Sequence, residues 1–233
     1  MDITSKISLA TAIIEFIVVA WAYFKFERTP LSNLVVTLLI LLGLTQFCEY
    51  QLCNSTNLIW GRIGFIIYII IPSLILHYAL KTVLKKNTLL IFIPYLAFAL
   101  TAIFQKLFII SGECSRGLSS VINTFFFGRV YTSPSIINFL YVGIFSILSA
   151  VILFRGAKAS TIIYEKYIFT LIGATVLVSF VVPTILVIFF PSIRLFYPSI
   201  IERFLTAYLF TGIISLYLEQ KIISQTKIKN PEY

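Results

Sequence analysis

Residues 31–48, LSNLVVTLLILLGLTQFC, decide the fold, because this whole stretch carries no charged side chain. An α-helix that crosses the hydrocarbon core of a bilayer needs about 20 predominantly apolar residues. Six further stretches of comparable character follow or precede it, separated by polar or charged breaks. The seven predicted membrane helices are 7–24, 31–48, 58–80, 88–108, 136–154, 163–189 and 198–218. None of them alternates apolar and polar residues, so we predict helices rather than strands.

The composition indicates a chain whose surface faces lipid. Hydrophobic residues make up 59% of the sequence, charged residues 12%, and the mean hydropathy is +1.00. A soluble domain carries about 25% charged residues. We therefore predict an all-α polytopic protein of the cell membrane, with a seven-helix domain over residues 1–218 and a short basic tail over 219–233. The first apolar stretch contains Glu15 and lacks a small-x-small cleavage pattern, which favours a retained helix over a signal peptide.

The net charge of +9 lies mostly in the breaks between apolar stretches. This pattern is typical of topology signals and of contacts with anionic lipid, and it argues against nucleic acid as a partner. With the N-terminus outside, the cytoplasmic segments hold eleven Lys and Arg residues and the outer segments seven. Two of those seven lie on the long segment 109–135, where the rule carries little weight. We predict an outer N-terminus and a cytoplasmic C-terminus.

The sequence resembles the N-terminal seven-helix sensor region of bacterial histidine kinases. The resemblance is strongest in FERTPLSNLVVTLLILLGLTQFCEY, residues 26–50, and WGRIGFIIYIIIPSLILHYAL, residues 60–80. In that family a helix carries a Trp and an Arg near its outer end, a Pro past its middle and a His-aromatic pair near its inner end. Trp60, Arg62, Pro72, His77 and Tyr78 occupy those positions here.

The second half of the sequence also resembles that sensor region. YTSPSIINFLYVGIFSILSAVILFRGA, residues 131–157, is followed by a helix with Pro183 near its outer end and by FYPSIIERF, residues 196–204. The family continues into a kinase or another output domain, and no such domain is present in this sequence. The resemblance therefore implies a sensor that signals through a separate kinase or another membrane protein, or a fragment of a longer sensor.

Polar and aromatic residues gather at the predicted outer ends of the helices. One interpretation is an ordinary interfacial belt of aromatic side chains and snorkelling cations. The other is an outward-facing pocket, in which the guanidinium groups of Arg62 and Arg203 clamp a carboxylate or phosphate and residues 109–135 form the lid. The aromatic part of this segment, NTFFFGRVYTSP over residues 123–134, is expected to fold back as a short hairpin over the bundle mouth or to lie along the bilayer surface. The predicted ligand-binding residues are Trp60, Arg62, Lys106, Tyr131, Arg194, Glu202 and Arg203.

Two ionisable residues lie inside the predicted membrane helices. Glu15 is at the middle of the first helix, and an acid at that depth is expected to face the bundle interior, a cavity or a partner. Its ordinary role would be a protonated side chain hydrogen-bonded to a neighbouring helix. His77 lies at the inner boundary of the third helix, where a hydrogen bond to another helix is favoured over a pH-sensing or proton-relay role.

The three cysteines fit an outer disulfide. Cys53 and Cys114 both lie in predicted outer loops, where disulfides form. We predict a Cys53–Cys114 bridge that ties the lid to the bundle, with Cys48 as the competing partner of Cys114. Three reduced thiols remain the other interpretation.

Enzyme classes are disfavoured by residue type. The sequence holds one histidine and one aspartate, which is too few for a metal-dependent or aspartyl protease of the membrane. A Ser nucleophile has no neighbouring base, and no phosphate-binding loop is present. We predict no metal and no cofactor.

These observations favour a sensor or receptor that binds a small anionic or amphipathic ligand, or a lipid, at its outer half. A small transporter or channel is the second interpretation, and it requires a polar path that includes Glu15. An accessory or immunity subunit of another membrane complex is the third.

Overall fold

The computed structural model describes residues 3–55, 57–104, 109–115, 118–123, 133–190, 200 and 203–229. Within these ranges most of the chain is helical. The elements are α1 (Ile3–Lys25), α2 (Pro30–Ser55), α3 (Ile59–Ile69), α4 (Ile71–Val83), a 3-10 turn (Leu89–Phe92), α5 (Ile93–Phe104), β1 (Ile109–Ser115), β2 (Leu118–Asn123), α6 (Ser133–Ala159), α7 (Ile163–Phe189) and α8 (Ala207–Lys229).

Among the described residues, five helical segments are long and apolar enough to cross a membrane. They are Ser5–Lys25, Pro30–Ser55, Ile59–Val83, Leu140–Ala159 and Ile163–Pro183. By length and composition the chain is a helical membrane protein, which confirms the predicted helical class. The apolar helix Leu89–Phe104 is shorter, and α8 is apolar in its first half and polar in its second. The count of seven spans and their orientation therefore remain predictions.

The structure differs from the predicted element boundaries in three places. Helix α2 continues to Ser55, so residues 49–55 are helical rather than a loop; the segment EYQLC contains no Gly or Pro that would end a helix. Helix α8 continues to Lys229, because its polar end consists largely of residues compatible with a helix. Inside the segment 109–135, β1 and β2 pair as an antiparallel hairpin, which the all-α prediction did not include.

Helices α1 and α2 pack side by side along their whole length. The buried face of α1 consists of small residues and one acid: Ser5, Ser8, Ala12, Glu15 and Ala22 are at most 1% exposed. Their spacing places them on one side of the helix. Small side chains let two helix backbones approach closely in a bilayer, whereas the bulky residues of α1 point away from the bundle.

The remaining helices complete the bundle through successive contacts. Helix α3 packs on α2, α4 on α6, α6 on α7, and α7 on α8, which also returns to α2. The apolar core runs through all of them, with Leu39, Ile75, Leu153 and Leu216 at most 1% exposed. The last helix therefore lies against the first pair, and this contact determines where the polar residues meet.

The third predicted helix is interrupted next to Pro72. Helix α3 ends at Ile69 and α4 begins at Ile71, because Pro72 lacks the N–H that would continue the helical ladder. The hydroxyl of Tyr141 on α6 inserts there, donating to the Ile69 carbonyl at 3.0 Å and lying 2.7 Å from Ser73 Oγ. Ser73 Oγ also donates to the Ile91 carbonyl at 3.0 Å. The break is thus held by a side chain of α6 and a backbone carbonyl of the 3-10 turn.

The hairpin strand β1 contacts α1, α2 and α3. A short connection joins the C-terminus of α2 to the N-terminus of α3, so both helix ends lie on one side of the bundle. Helix α1 runs antiparallel to α2, and its N-terminus therefore lies on that same side. We call this side of the bundle the Glu49 end. The side where α1 is joined to α2 through Thr29 is called the Thr29 end.

Candidate functional site

A buried polar cluster at the Glu49 end joins three separate parts of the chain. Ser8 Oγ on α1 donates to Glu49 Oε2 on α2 at 2.5 Å. The Arg203 guanidinium lies 3.5 Å from the same carboxylate oxygen, donates to Gln46 Oε1 at 3.5 Å and donates to Ser8 Oγ at 3.4 Å. These four residues, Ser8, Gln46, Glu49 and Arg203, are called the Arg203 cluster.

Local helix geometry brings the cluster together. Gln46 and Glu49 are three residues apart on α2, so they lie on the same face, and they are 1% and 4% exposed. Arg203 belongs to the helical residues 203–205 that precede α8, and its carbonyl accepts a hydrogen bond from the Thr206 hydroxyl. The antiparallel contact of α1 and α2 then places Ser8 opposite Glu49.

The Arg203 guanidinium is held more loosely than Glu49. Its contacts measure 3.4–3.5 Å, whereas charge-assisted N–H···O bonds are typically about 2.7–2.9 Å. The Arg203 side chain is 26% exposed and the Glu49 side chain 3%. Glu49 is therefore the fixed, buried member of the pair, and Arg203 is the member that an outside molecule can reach.

Glu15 lies on the same face of α1 as Ser8, two helical turns further into the bundle. It is 1% exposed, and its Oε2 has no hydrogen-bond partner. The charge of Arg203 reaches it. Side chains on a helix tilt toward its N-terminus, so the Glu15 carboxyl group leans toward the Arg203 cluster, over the small side chain of Ala12.

The predicted clamp of Arg62 and Arg203 stays a prediction. The ion pair and hydrogen bonds described for Arg203 go to α1 and α2, and Arg62 lies on α3. Arg62 is half-buried in the first turns of α3, and Trp60 packs edge-on against Phe47 with ring centroids 6.0 Å apart. The predicted site residues Lys106, Tyr131, Arg194 and Glu202 lie outside the described residues, so they stay predictions.

His77 lies on α4 beside Phe92, with ring centroids 5.7 Å apart. Its Nδ1 atom is buried without a hydrogen-bond partner. The expected hydrogen bond to a neighbouring helix is therefore not made by this atom. His77 is far from the Arg203 cluster along the bundle, since α4 ends at the Thr29 end.

Cys53 and Cys48 differ in their bonding. Cys53 is disulfide-bonded, and Cys48 is a buried cysteine outside any disulfide. Cys53 lies in the last turns of α2, not in a loop. The chain has three cysteines, and the third, Cys114, is on β1, the strand that contacts α2. The side chain of Cys114 lies outside the described residues, and the Cys53–Cys114 pairing is kept as a prediction that this arrangement favours.

A second polar contact ties α8 to the first helix pair at the Thr29 end. The Thr29 hydroxyl donates to Glu219 Oε2 at 2.7 Å, and the Gln220 amide donates to the Lys25 carbonyl at 3.4 Å. Burial raises the pKa of Glu219, and the hydrogen bond from Thr29 partly offsets this. An open groove beside this contact is lined by Glu27, Tyr217, Gln220, Lys221, Ile223 and Ser224.

No group of three metal-ligating side chains occurs among the described residues. The Arg203 cluster contains a guanidinium group, which suits an anion rather than a metal ion.

Sequence reasoning did not identify Ser8 and Gln46, and it placed Glu49 only among interfacial residues. The sequence did offer a signal for Gln46 and Glu49. They are three residues apart, and no helix-breaking residue follows them before Asn54, so they could be expected on one face of a continuing helix. Ser8 carries no such signal, because a serine in an apolar helix is common in membrane proteins. Comparison of the chain with protein-family models, curated proteins and solved structures finds no match.

Proposed function

We propose that this protein is a seven-helix membrane sensor or receptor, which binds a small anionic amphiphile or an anionic lipid at the Glu49 end. The Glu49 end faces outward, as the distribution of Lys and Arg predicts, and the Thr29 end faces the cytoplasm. The ligand's anionic group takes the place of the Glu49 carboxylate on the Arg203 guanidinium. No catalytic step is part of this proposal.

The loosely held, accessible guanidinium of Arg203 carries the proposal. A carboxylate from the protein already occupies it, and the 3.5 Å separation leaves it far from its strongest bonding distance. A ligand with a sulfonate, phosphate or carboxylate offers the same chemistry with shorter contacts. An apolar tail on that ligand would lie along the exposed apolar side chains of α1, such as Ile13 and Ile17.

The last helix supplies a route to the cytoplasmic side. Arg203 directly precedes α8, and α8 carries Glu219 and Gln220 at the Thr29 end. Releasing Arg203 from Glu49 changes how α8 is anchored to α1 and α2. A ligand shifts this equilibrium only by the difference between its affinities for the two arrangements, and a kinase or another membrane protein that binds the end of α8 would read the change.

The decisive experiment compares two ten-carbon amphiphiles of opposite charge. The protein in lipid nanodiscs is titrated with decanesulfonate or decyltrimethylammonium, and thermal unfolding is recorded. We expect decanesulfonate to raise Tm in the wild type and decyltrimethylammonium to leave it unchanged, because only the anion pairs with Arg203.

Two variants localise the effect. Arg203→Gln should abolish the decanesulfonate shift, and Glu49→Gln should enlarge it, because the competing carboxylate is removed. Lys221→Gln is the matched control at the Thr29 end and should behave as the wild type. Equal shifts in all four proteins would mean that the amphiphile acts on the lipid, and the receptor proposal would be rejected.

The orphaned carboxyl oxygen of Glu15 is the observation that favours transport as a second candidate. A proton-coupled transporter uses buried acids at this depth. In proteoliposomes such a protein would acidify the lumen under an imposed gradient, and Glu15→Gln would stop it. The receptor proposal expects no flux.

A further inference from the structure

Two buried hydroxyl groups meet at the Pro72 break. Ser73 in the first turn of α4 is 0% exposed, and Tyr141 on α6 is 6% exposed. Tyr141 Oη lies 3.0 Å from the Ile69 carbonyl oxygen and 2.7 Å from Ser73 Oγ. Ser73 Oγ in turn lies 3.0 Å from the Ile91 carbonyl oxygen. These four oxygens form a chain of three contacts, which begins at the end of α3 and ends at the 3-10 turn.

This chain has more contacts than protons. A serine or tyrosine hydroxyl carries one proton, and a carbonyl oxygen only accepts. Two protons therefore serve three contacts, and one contact lacks a proton at any moment. The central contact keeps its proton, because 2.7 Å between Tyr141 Oη and Ser73 Oγ is the usual length of an O–H···O hydrogen bond. Two hydroxyl oxygens at that distance without a proton between them would repel each other.

Two arrangements of the protons remain. In the first, Tyr141 donates to the Ile69 carbonyl and Ser73 donates to Tyr141. In the second, Tyr141 donates to Ser73 and Ser73 donates to the Ile91 carbonyl. Each arrangement has two hydrogen bonds of the same kind, and the two outer contacts have the same length of 3.0 Å. Neither arrangement is therefore strongly preferred over the other.

We propose that Ser73 and Tyr141 form a two-state hydrogen-bond switch, which ties α4 and α6 either to the end of α3 or to the 3-10 turn before α5. The break needs such a tie, because Pro72 lacks the N–H that would hold the two halves of the segment in line. Helix α3 begins at the Glu49 end and α4 ends at the Thr29 end, so the switch lies at the joint between them. It operates without any ligand and does not depend on the proposed function.

The two carbonyl groups report the two arrangements, because the resonance of a carbonyl carbon moves when its oxygen accepts a hydrogen bond. The protein is labelled with 13C at its isoleucine carbonyls and studied by NMR in nanodiscs. Ile69→Val and Ile91→Val identify the two resonances by their disappearance. As the wild type is warmed, one carbonyl gains the hydroxyl that the other loses, so the two resonances should move in opposite directions. Resonances that do not move oppositely would overturn the proposal.

Removing either hydroxyl should hold the switch in one position. Ser73→Ala leaves Tyr141 to donate to Ile69, and Tyr141→Phe leaves Ser73 to donate to Ile91. For each carbonyl, the wild-type resonance should therefore lie between those of the two variants. A wild-type resonance that coincides with that of either variant would mean a fixed arrangement, and the switch would be rejected. If a variant does not fold, the temperature series of the wild type still decides the question.

Ser149→Ala is the matched control. Ser149 is also buried on α6, and its hydroxyl donates to the Phe145 carbonyl of the same helix at 2.6 Å. The variant removes a buried hydroxyl from α6 without changing the chain of contacts at Pro72, so the Ile69 and Ile91 resonances should stay at their wild-type positions. Movements as large as those in Tyr141→Phe would show that the resonances report a general loosening of α6, which would contradict the switch.

Discussion

The last helix and the residues just before it are attached to the first helix pair at two levels of the bundle, but by different means. At the Glu49 end the attachment is an ion pair with a carboxylate that is 3% exposed. At the Thr29 end the attachment consists of two hydrogen bonds. The Thr29 hydroxyl donates to the Glu219 carboxyl group in a partly buried position, and the Gln220 amide donates to the Lys25 carbonyl in an exposed position. The two ends therefore differ in what happens when a partner is lost: the buried end cannot replace it with water, and the accessible end can.

This difference assigns separate tasks to the two ends. Losing a contact at the Glu49 end destabilises the protein strongly unless a ligand or a proton takes the place of the lost partner. That end is therefore suited to a selective response to a ligand. Breaking one at the Thr29 end costs little, so α8 is free to move there when the other end changes. Three substitutions, placed before, within and near the end of the last helix, examine this contrast.

Arg203→Met should have the largest effect. It removes the guanidinium that faces the buried Glu49 carboxylate at 3.5 Å, and removing one partner of a buried pair costs on the order of 3 kcal/mol. Chemical unfolding in detergent measures the loss.

Lys221→Met makes the same change of charge at the Thr29 end and is the control. Lys221 is exposed, with its Nζ 5.6 Å from the Tyr164 ring, and an exposed contact of this kind contributes about 0.5–1 kcal/mol at most. If the two Met variants lose equal stability, the buried end is no different from the accessible end and the contrast is wrong.

Gly212→Ala examines the middle of α8, where the helix packs on α2. A Cβ at this position would lie 2.8 Å from Val35 Cγ1, and the branched Val35 has little freedom to move away. Overpacking of this kind costs about 1–3 kcal/mol. Unfolding of the variant and of the double variant Gly212→Ala, Val35→Ala measures the clash, since the second change should recover part of the loss.

Gly143→Ala is the matched control, because a Cβ there meets nothing within 4 Å. Replacing a glycine in a helix by alanine without a clash should be neutral or stabilise by about 0.5–1 kcal/mol. Loss of stability in Gly143→Ala equal to that in Gly212→Ala would show that the contact with Val35 does not explain the result.

The positions of the helices follow from the sequence, because length and apolarity alone define a membrane-spanning segment. Their ends do not, and α2 and α8 show why. Residues such as Glu49 and Glu219 resemble the polar edge of a span, yet a helix continues as long as backbone hydrogen bonds are satisfied and no breaker intervenes. An α2 of 26 residues is about 39 Å long, which is longer than the hydrocarbon core.

The candidate site could be predicted only in part for a related reason. Arg203 and Glu15 attract notice because charge within an apolar stretch is rare, and both belong to the polar region of the structure. Which residue Arg203 would meet depends on how α1, α2 and α8 are arranged, and a single sequence does not contain that arrangement. In the structure Arg203 meets Glu49, Gln46 and Ser8, and the predicted clamp of Arg203 with Arg62 around a ligand stays a prediction.

Glu219→Gln should change the free energy of unfolding least. The variant is informative mainly because it alters how stability depends on pH. Burial raises the pKa of Glu219 above its ordinary value of 4.5, so the folded protein favours the neutral acid. The stability that Glu219 contributes is then present at low pH and is lost as pH rises through its folded pKa. The glutamine of this variant keeps an oxygen that accepts a hydrogen bond from Thr29, but it cannot titrate. The free energies of unfolding of the wild type and the variant should therefore differ by less than about 1 kcal/mol.

Thermal unfolding of both proteins across acidic and neutral pH gives the comparison. We expect the wild type to lose a small amount of stability relative to Glu219→Gln as pH rises above 4.5, and the two to converge at low pH. Parallel stability curves of the two proteins over the whole pH range would mean that the folded protein does not favour the neutral form of Glu219, and the contact at the Thr29 end would then contribute no pH-dependent attachment of α8.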